Sequence, residues 1–233
     1  MKARIFEVFS SIQGEGKLIG RRQIFVRFAG CNLDCIYCDT PESKKSSNGK
    51  EFSIDELSKR VKDLLTPDFH SISFTGGEPL LQADFIKKFL EQNPFKSMLE
   101  TNGSLPSQIK KIASLIDYAS VDIKLPEHFA DEDKGDLWEM ELNSINILIE
   151  KGSNSYCKVV VLPNTKVDMV EDIAKHLKQE LINPSKVSLV IQPATPLDYW
   201  AEHTFKLFKM SEKAGKYMDV LIIPQLHKLL KVR

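Results

Sequence analysis

Net charge, long apolar runs and spare cysteines are what this sequence lacks. Thirty-two basic residues stand against 32 acidic ones, so no overall field draws the chain to a polyanion, and a small molecule is the expected ligand rather than nucleic acid. No uncharged stretch approaches the roughly 20 residues that a membrane helix needs, and Met1 to Val8 carries no apolar core of signal-peptide length. Four cysteines cannot staple 233 residues together, and three of them are crowded into one segment. That pattern points to a reducing compartment, with the cytoplasm as the expected location. At 42% hydrophobic and 27% charged residues the composition is that of an ordinary globular protein, expected to form a single domain over residues 1–233.

What is present is more specific. Cys31, Cys35 and Cys38 stand at C-x3-C-x2-C spacing, which puts three thiolates in one short loop. Structural zinc sites and electron-carrying iron-sulfur clusters normally close their coordination with four protein ligands, so three leave one metal position open for a substrate or cofactor. Cys157 lies in the apolar run from Tyr156 to Leu162 and reads as a small core residue.

Apolar runs rich in β-branched and aromatic residues recur at Ile24 to Phe28, Ile72 to Phe74, Met98 to Leu99, Ala119 to Ile123, Val159 to Leu162 and Val187 to Ile191, and these predict buried strands. Between them lie helical patterns. Ser53-Ile54-Asp55-Glu56 is a capping box opening a helix to about Leu65, and Phe85, Ile86, Phe89 and Leu90 form an apolar stripe. Further helices are predicted at Gln108 to Leu115, Leu137 to Ile149, Val167 to Leu181 and Trp200 to Ala214. Such alternation predicts an α/β fold with a parallel sheet, either open and doubly wound or curled into a barrel. The polar stretch Ser43 to Lys50 predicts a mobile loop with solvated lysines, placed so that it could serve as a lid over the cysteines.

Polar motifs close the predicted strands one after another. The cysteine loop follows the first, Thr75-Gly76-Gly77-Glu78-Pro79 the second and Glu100-Thr101-Asn102-Gly103 the third, followed by Asp122 and Lys124, Pro163-Asn164-Thr165 and Gln192-Pro193-Ala194-Thr195. Parallel α/β folds bind ligands at the carboxyl ends of their strands, so all of these are expected on one face.

The cysteine spacing followed by Gly76-Gly77-Glu78-Pro79 resembles the radical S-adenosylmethionine (SAM) superfamily. The resemblance implies a partial (β/α)6 barrel with parallel strands and outer helices, holding a [4Fe-4S] cluster on Cys31, Cys35 and Cys38. It implies S-adenosyl-L-methionine bound by Gly76, Gly77 and Glu78, and one-electron cleavage of that sulfonium to methionine and a 5′-deoxyadenosyl radical. A flavodoxin or ferredoxin reductant is implied as partner. For the cofactor's ribose and adenine, Ser120, Val121 and Asp122 and the run Gln192, Pro193, Ala194 and Thr195 are the candidates. The fourth strand carries Ser120-Val121-Asp122-Ile123-Lys124 where many members have Ser-Pro-Lys.

The flanks narrow the resemblance. Phe9 to Gly16, Arg27, Cys38-Asp39-Thr40 and the C-terminal Gln225 to Leu230 resemble the 7-carboxy-7-deazaguanine synthase family. That likeness spans nearly the whole chain and implies a lyase that contracts 6-carboxy-5,6,7,8-tetrahydropterin to 7-carboxy-7-deazaguanine with loss of ammonia, on the route to queuosine and archaeosine. Mg2+ is implied at Thr40, a hard oxygen donor that is otherwise an ordinary cap or turn residue. A homodimer is implied by the same analogy.

Arg27 offers a planar charged fork suited to the substrate carboxylate, with a structural ion pair as the alternative. Ile12, Gln13 and Gly14 would meet the pterin edge. Gly14-x-Gly16 lacks the third glycine of a dinucleotide loop, so it reads otherwise as a tight turn. Thr75 is a substrate contact or a plain strand end, and His227, with Lys228, closes the site or lies on the surface. Tyr37 keeps an aromatic wall where relatives often carry Trp, and Arg233 replaces a frequent terminal proline. Two rivals carry different chemistry: a glycyl-radical enzyme activase, and a non-catalytic module whose cysteines hold zinc or an iron-sulfur cluster.

Overall fold

The computed structural model describes residues 1–130 and 135–232; Arg233 lies outside the described residues. Strand β1 (Lys2–Ile12) runs antiparallel to both β2 (Arg22–Phe28) and β3 (Lys50–Ser53). From β2 the sheet continues in parallel through β4 (Phe69–Gly76), β5 (Ser97–Thr101), β6 (Tyr118–Ile123), β7 (Asn154–Val161), β8 (Ser188–Pro193) and β9 (Asp219–Ile222). The spatial order in this nine-stranded sheet is β3-β1-β2-β4-β5-β6-β7-β8-β9. Its parallel part is a partial (β/α) barrel that stays open, since β3 and β9 are edges rather than neighbours.

All of the strands expected from apolar runs are present. The sequence pattern misses β1, β3 and β9, and each for a physical reason. Lys2, Arg4 and Glu7 interrupt β1, whose faces alternate between exposed and buried near its start, and the two edge strands are short and partly exposed.

The helices are α1 (Ile54–Asp63), α2 (Ala83–Gln92), α3 (Pro106–Ile112), α4 (Leu137–Glu150), α5 (Val167–Glu180), α6 (Asp198–Glu202), α7 (Thr204–Ala214) and α8 (Leu226–Leu230). The expected capping box opens α1: Glu56 N donates to Ser53 Oγ at 3.2 Å and Ser53 N to Glu56 Oε2 at 2.7 Å. The helix expected from Trp200 to Ala214 is instead two, broken at His203 with φ −119° and ψ 28°. Buried Trp200 is tethered by its indole N–H to Ala194 O at 3.0 Å, and the Thr204 hydroxyl bonds back to Trp200 O at 3.1 Å, so α6 and α7 cannot share one axis.

Strand parity decides which side chains reach the site. Ile24, Val26 and Phe28 of β2, Ile72 and Phe74 of β4, Ala119 and Val121 of β6, Cys157 and Val159 of β7 and Leu189 and Ile191 of β8 all join the helix-side core. The alternate positions Arg27, Thr75, Glu100, Asp122, Lys158 and Gln192 line a cleft on the concave face. A smaller core of Met98, Tyr156, Val190 and Ile223 fills the barrel beneath that cleft.

Candidate active site

The three cysteines sit on a loop that is pinned from several sides. Gly30 N donates to Ser43 O at 2.8 Å, Cys31 N to Lys44 O at 3.0 Å and Ile36 N to His128 O at 2.9 Å. Asn102 Nδ2 donates to Asn32 Oδ1 at 3.0 Å, and Asn32 Nδ2 to Ser104 Oγ at 2.8 Å. The Ser43 to Lys50 stretch is therefore not a mobile lid. It folds into short 3-10 turns, buries Ser43 and Gly49, and braces the cysteine loop, with Lys44 Nζ donating to Cys35 O at 2.9 Å and pairing with Asp34. Hydrogen bonding of its main chain, invisible in composition, overrides its polarity.

Cys31, Cys35 and Cys38 are half-buried, unpaired by any disulfide, and face one cavity. Burial pushes the Cys31 and Cys35 thiols up, opposed by a backbone hydrogen bond at Cys31 and by the charge of Lys124 at Cys35. Such thiols become thiolates when a metal supplies the missing positive charge. Cys157 is wholly buried on the helix side, as expected.

Gly76 and Gly77 stitch the end of β4 to the mount of that loop. Gly77 N donates to Phe28 O at 3.0 Å and Glu78 N to Gly30 O at 2.8 Å. Gly76 has φ +126°, a region that favours glycine, and a Cβ on Gly77 would lie 2.0 Å from Gly30 O. Glu78 lines the cleft, yet its carboxylate already accepts from Leu80 N at 2.9 Å, Thr101 Oγ1 at 2.8 Å and Asn102 N at 2.9 Å. Desolvation pushes that carboxyl up to about 7 against those bonds, so Glu78 binds the β4 end to the β5 end as well as facing the cavity.

The cleft encloses a volume of about 240 Å³ and is partly open to solvent. Ile12, Gln13, Gly14, Arg27, Thr75 and His227 all line it. Arg27 Nε pairs with Glu7 Oε1 at 3.0 Å, its Nη1 donates to Thr40 Oγ1 at 3.1 Å, and its guanidinium lies 5.8 Å from the Phe9 ring centre. The structural ion pair and the place in the cleft are thus both real. Thr40 itself does not line the cavity; it reaches the site through Arg27 and by donating to Asp39 Oδ1 at 3.2 Å.

Of the fourth-strand candidates, Asp122 faces the cleft while Ser120 lies buried below it and Val121 points to the helix-side core. At the β8 end Gln192, Ala194 and Thr195 line the cleft and Pro193 does not. Gln192 lines the cleft at 3% exposure, and its Oε1 has no hydrogen-bond partner among the described residues.

The C-terminal turn closes one side. Leu226 N donates to Gly14 O at 2.8 Å, and His227 Nε2 and Lys228 Nζ stand 3.7 and 3.6 Å from Asp39 Oδ2. Burial alone would push the Asp39 carboxyl up; the hydrogen bond from His227 and the charges of Lys228 and Arg27 outweigh it and hold the group well below the ordinary carboxylate range. Donor atoms of Glu15, Asp39 and His227 all lie within 4.8 Å of one another. Lys158 and Lys228 already counter their charge, so the group reads as an ion-pair network. A Cβ on Gly14 would lie 2.2 Å from His227 Nδ1 and 2.7 Å from His227 Cβ. Gly14→Ala is expected to lift α8, cutting amide protection in residues 226–230 about tenfold or more while iron is retained, as hydrogen exchange and iron analysis would read.

The sequence profile of the radical SAM superfamily matches residues 25–205. The chain belongs to the radical SAM superfamily. It is 55% identical to the 7-carboxy-7-deazaguanine synthase of Methanothermobacter thermautotrophicus, over 100% of this chain and 99% of that protein. It is 39% identical to the enzyme of that name from Methanocaldococcus jannaschii, over 97% and 98%, and 32% identical to that of Geobacter sulfurreducens, over 98% and 97%. Within the superfamily it thus belongs to the 7-carboxy-7-deazaguanine synthase family. The crystal structure of QueE from Escherichia coli shares the fold, with a TM-score of 0.63 at 20% identity over 95% of this chain and 94% of that one.

For a radical SAM chain, which family membership equips with a [4Fe-4S] cluster and SAM, the residues present fit. Three half-buried thiols await positive charge, a glycine strand end leaves main chain at the cavity, and Gln192 carries an orphaned acceptor. Glu100 and Lys124 line the cleft, as their places at strand ends predict, and so do Glu15, Lys158 and Gln225, to which the sequence reading gives no role in the site. The signal was there in part: Lys158 stands alone in an apolar strand, and a buried lysine needs a carboxylate.

Proposed function

We propose that this protein is the ring-contracting lyase that converts 6-carboxy-5,6,7,8-tetrahydropterin to 7-carboxy-7-deazaguanine with loss of ammonia. The observation that carries the reading is one cleft lined both by the three cysteines with Gly76 and Gly77 and by Gln13, Arg27 and Glu100. Cys31, Cys35 and Cys38 would hold the cluster, and Gly76, Gly77, Asp122 and Gln192 the SAM. Bound there, the two supply the one-electron cleavage that starts hydrogen abstraction.

The chain's own residues bind, orient and shield. The fork of Arg27, already fixed by Glu7 and Thr40, meets the substrate carboxylate. Gln13 donates to Glu100 Oε1 at 2.9 Å and to Gln23 Oε1 at 3.0 Å, so amide and carboxylate form one fixed acceptor-rich wall for the pterin's donors. Ser73 Oγ holds the same Glu100 oxygen at 2.7 Å. Desolvation pushes the Glu100 carboxyl up, and Lys158 opposes that shift. His227 and α8 shield the cleft from water on the C-terminal side.

Mg2+ fits the donors at Thr40, whose hydroxyl keeps one acceptor lone pair beside the Asp39 carboxylate, and it would neutralise charge on the substrate carboxylate. One core domain over 1–233, a homodimer, a cytoplasmic location and a flavodoxin or ferredoxin donor complete the reading. Among the described residues no helix is long and apolar enough to cross a membrane.

The test is anaerobic incubation of reconstituted protein with SAM, reductant, Mg2+ and the pterin. Product with stoichiometric ammonia supports the assignment; SAM cleavage without ring contraction sinks the substrate. Arg27→Lys is expected to raise KM for the pterin at least about tenfold with a smaller change in kcat, because a point charge cannot keep the Glu7 and Thr40 bonds and meet a carboxylate together. Steady-state kinetics at matched iron content checks it.

A further inference from the structure

A continuous polar chain runs along the lining of the cleft. Thr195 Oγ1 donates to Gln225 Oε1 at 2.6 Å, and Gln225 Nε2 to Glu15 Oε1 at 2.7 Å. Lys158 Nζ then holds Glu15 Oε2 at 2.5 Å and Asp122 Oδ1 at 3.3 Å. Lys124 Nζ holds Asp122 Oδ2 at 2.9 Å and donates to Tyr37 OH at 2.9 Å, and Tyr37 lies between Cys35 and Cys38. Among the described residues, Lys158 thus joins Glu15, which follows β1 on the substrate side, to Asp122, at the end of β6 on the cofactor side.

Lys158 is built to do this. It sits on β7 with its side chain 8% exposed, on the concave parity, flanked by Cys157 and Val159 that face the helices. The charged and titratable groups around its ammonium come from separate elements: Glu15 after β1, Glu100 from β5, Asp122 from β6 and Tyr156 from β7. A buried ammonium with two carboxylate partners is held far more firmly than either partner would be alone, since leaving any member unpaired in low dielectric is costly. The two carboxylates are thereby locked at a fixed separation.

We infer that Lys158 is a positioning residue that registers the substrate, through Glu15, against the cofactor, through Asp122. This rests on the proposed function and deepens it. A hydrogen abstraction is productive only when the target bond lies in line with the cofactor's reacting carbon, so loss of register should waste cleavage events rather than slow everything equally.

The test measures product formed per SAM cleaved, and separately the affinity of cluster-loaded protein for 6-carboxypterin, a stable oxidised relative of the substrate followed by its fluorescence. Lys158→Met is expected to lower the product-to-cleavage ratio at least about fivefold and to weaken 6-carboxypterin at least about tenfold, because Glu15 loses its counter-ion. Lys158→Arg keeps the charge but cannot bring one nitrogen to both carboxylates in the same geometry, so affinity should recover within about threefold while the ratio stays low. The Arg variant carries the test if the Met variant does not fold. Wild-type-like ratio and affinity in either soluble variant would overturn the inference; a proportional fall in cleavage and product would mark a merely structural lysine and overturn it too. A wild-type protein that cleaves SAM but never contracts the pterin would instead strike the proposed function itself.

Discussion

Gly77→Ala is expected to yield a protein that purifies with little or no iron. The added methyl would lie 2.0 Å from Gly30 O, 2.5 Å from Gly30 C and 3.0 Å from Ser43 O. All of these are main-chain atoms, so no rotamer change relieves the clash. The strand ends have to move apart, and the first bonds to go are Gly77 N to Phe28 O and Glu78 N to Gly30 O. Gly30 directly precedes Cys31, so the displacement is passed to the first thiol. Overpacking against backbone with loss of two hydrogen bonds costs about 2–4 kcal/mol, or roughly 2–4 °C in midpoint per kcal/mol for a chain of this size. Gly20→Ala is the control: Gly20 has φ +81° but open space around it, so it should cost about 1 kcal/mol and leave iron untouched. Iron per chain after anaerobic purification and a thermal melt read both. Full iron in the Gly77 variant would show that the strand junction does not mount the cysteine loop.

The same junction explains what was legible in the sequence. Parallel strands buried on both faces read as apolar runs, so β2 and β4 to β8 stood out, and a cysteine loop or glycine pair placed just after such a run had to reach the carboxyl edge. Interior parity was legible too, at Arg27, Thr75 and Gln192. The rest depends on partners distant in sequence. Nothing local says that Glu15 meets Lys158 and Gln225, or that the carbonyls of a lysine-rich polar stretch accept from Gly30 N and Cys31 N. The break at His203 likewise comes from Trp200 reaching back to Ala194, a tertiary contact that overrides helix propensity. Ser120 and Val121 differ from Asp122 only in parity and depth, which a motif does not carry.

Acid should weaken this protein through His128, in a window that can be named. The ring is wholly buried; Leu125 N donates to its Nδ1 at 2.9 Å, so its proton is on Nε2, which donates to Val160 O at 2.8 Å. Burial pushes its pKa from the ordinary 6.5 down to about 4, and the charge of Lys124 adds to the fall. Because the folded value lies below the unfolded one, the neutral ring's contribution is complete above pH 6.5 and drains away as pH falls toward 4. The loss is about 3 kcal/mol across that window, with no further change below it. Carboxylates titrate in the same range, so the clean observable is a difference: urea unfolding of cluster-free wild type and His128→Gln at pH 7 and pH 4.5. The variant should start roughly 2–3 kcal/mol less stable, having lost a shape that bridges two main-chain groups, and should fall less between the two pH values by about the histidine's share. Equal falls in both proteins would assign the acid sensitivity elsewhere. The position makes the effect functional as well as structural, since the His128 carbonyl accepts from Ile36 N at 2.9 Å and its ring meets Tyr37 edge-on at 4.5 Å. Acid unfolding is therefore expected to free the segment between Cys35 and Cys38 together with the fold, because that segment leans on His128 through both contacts.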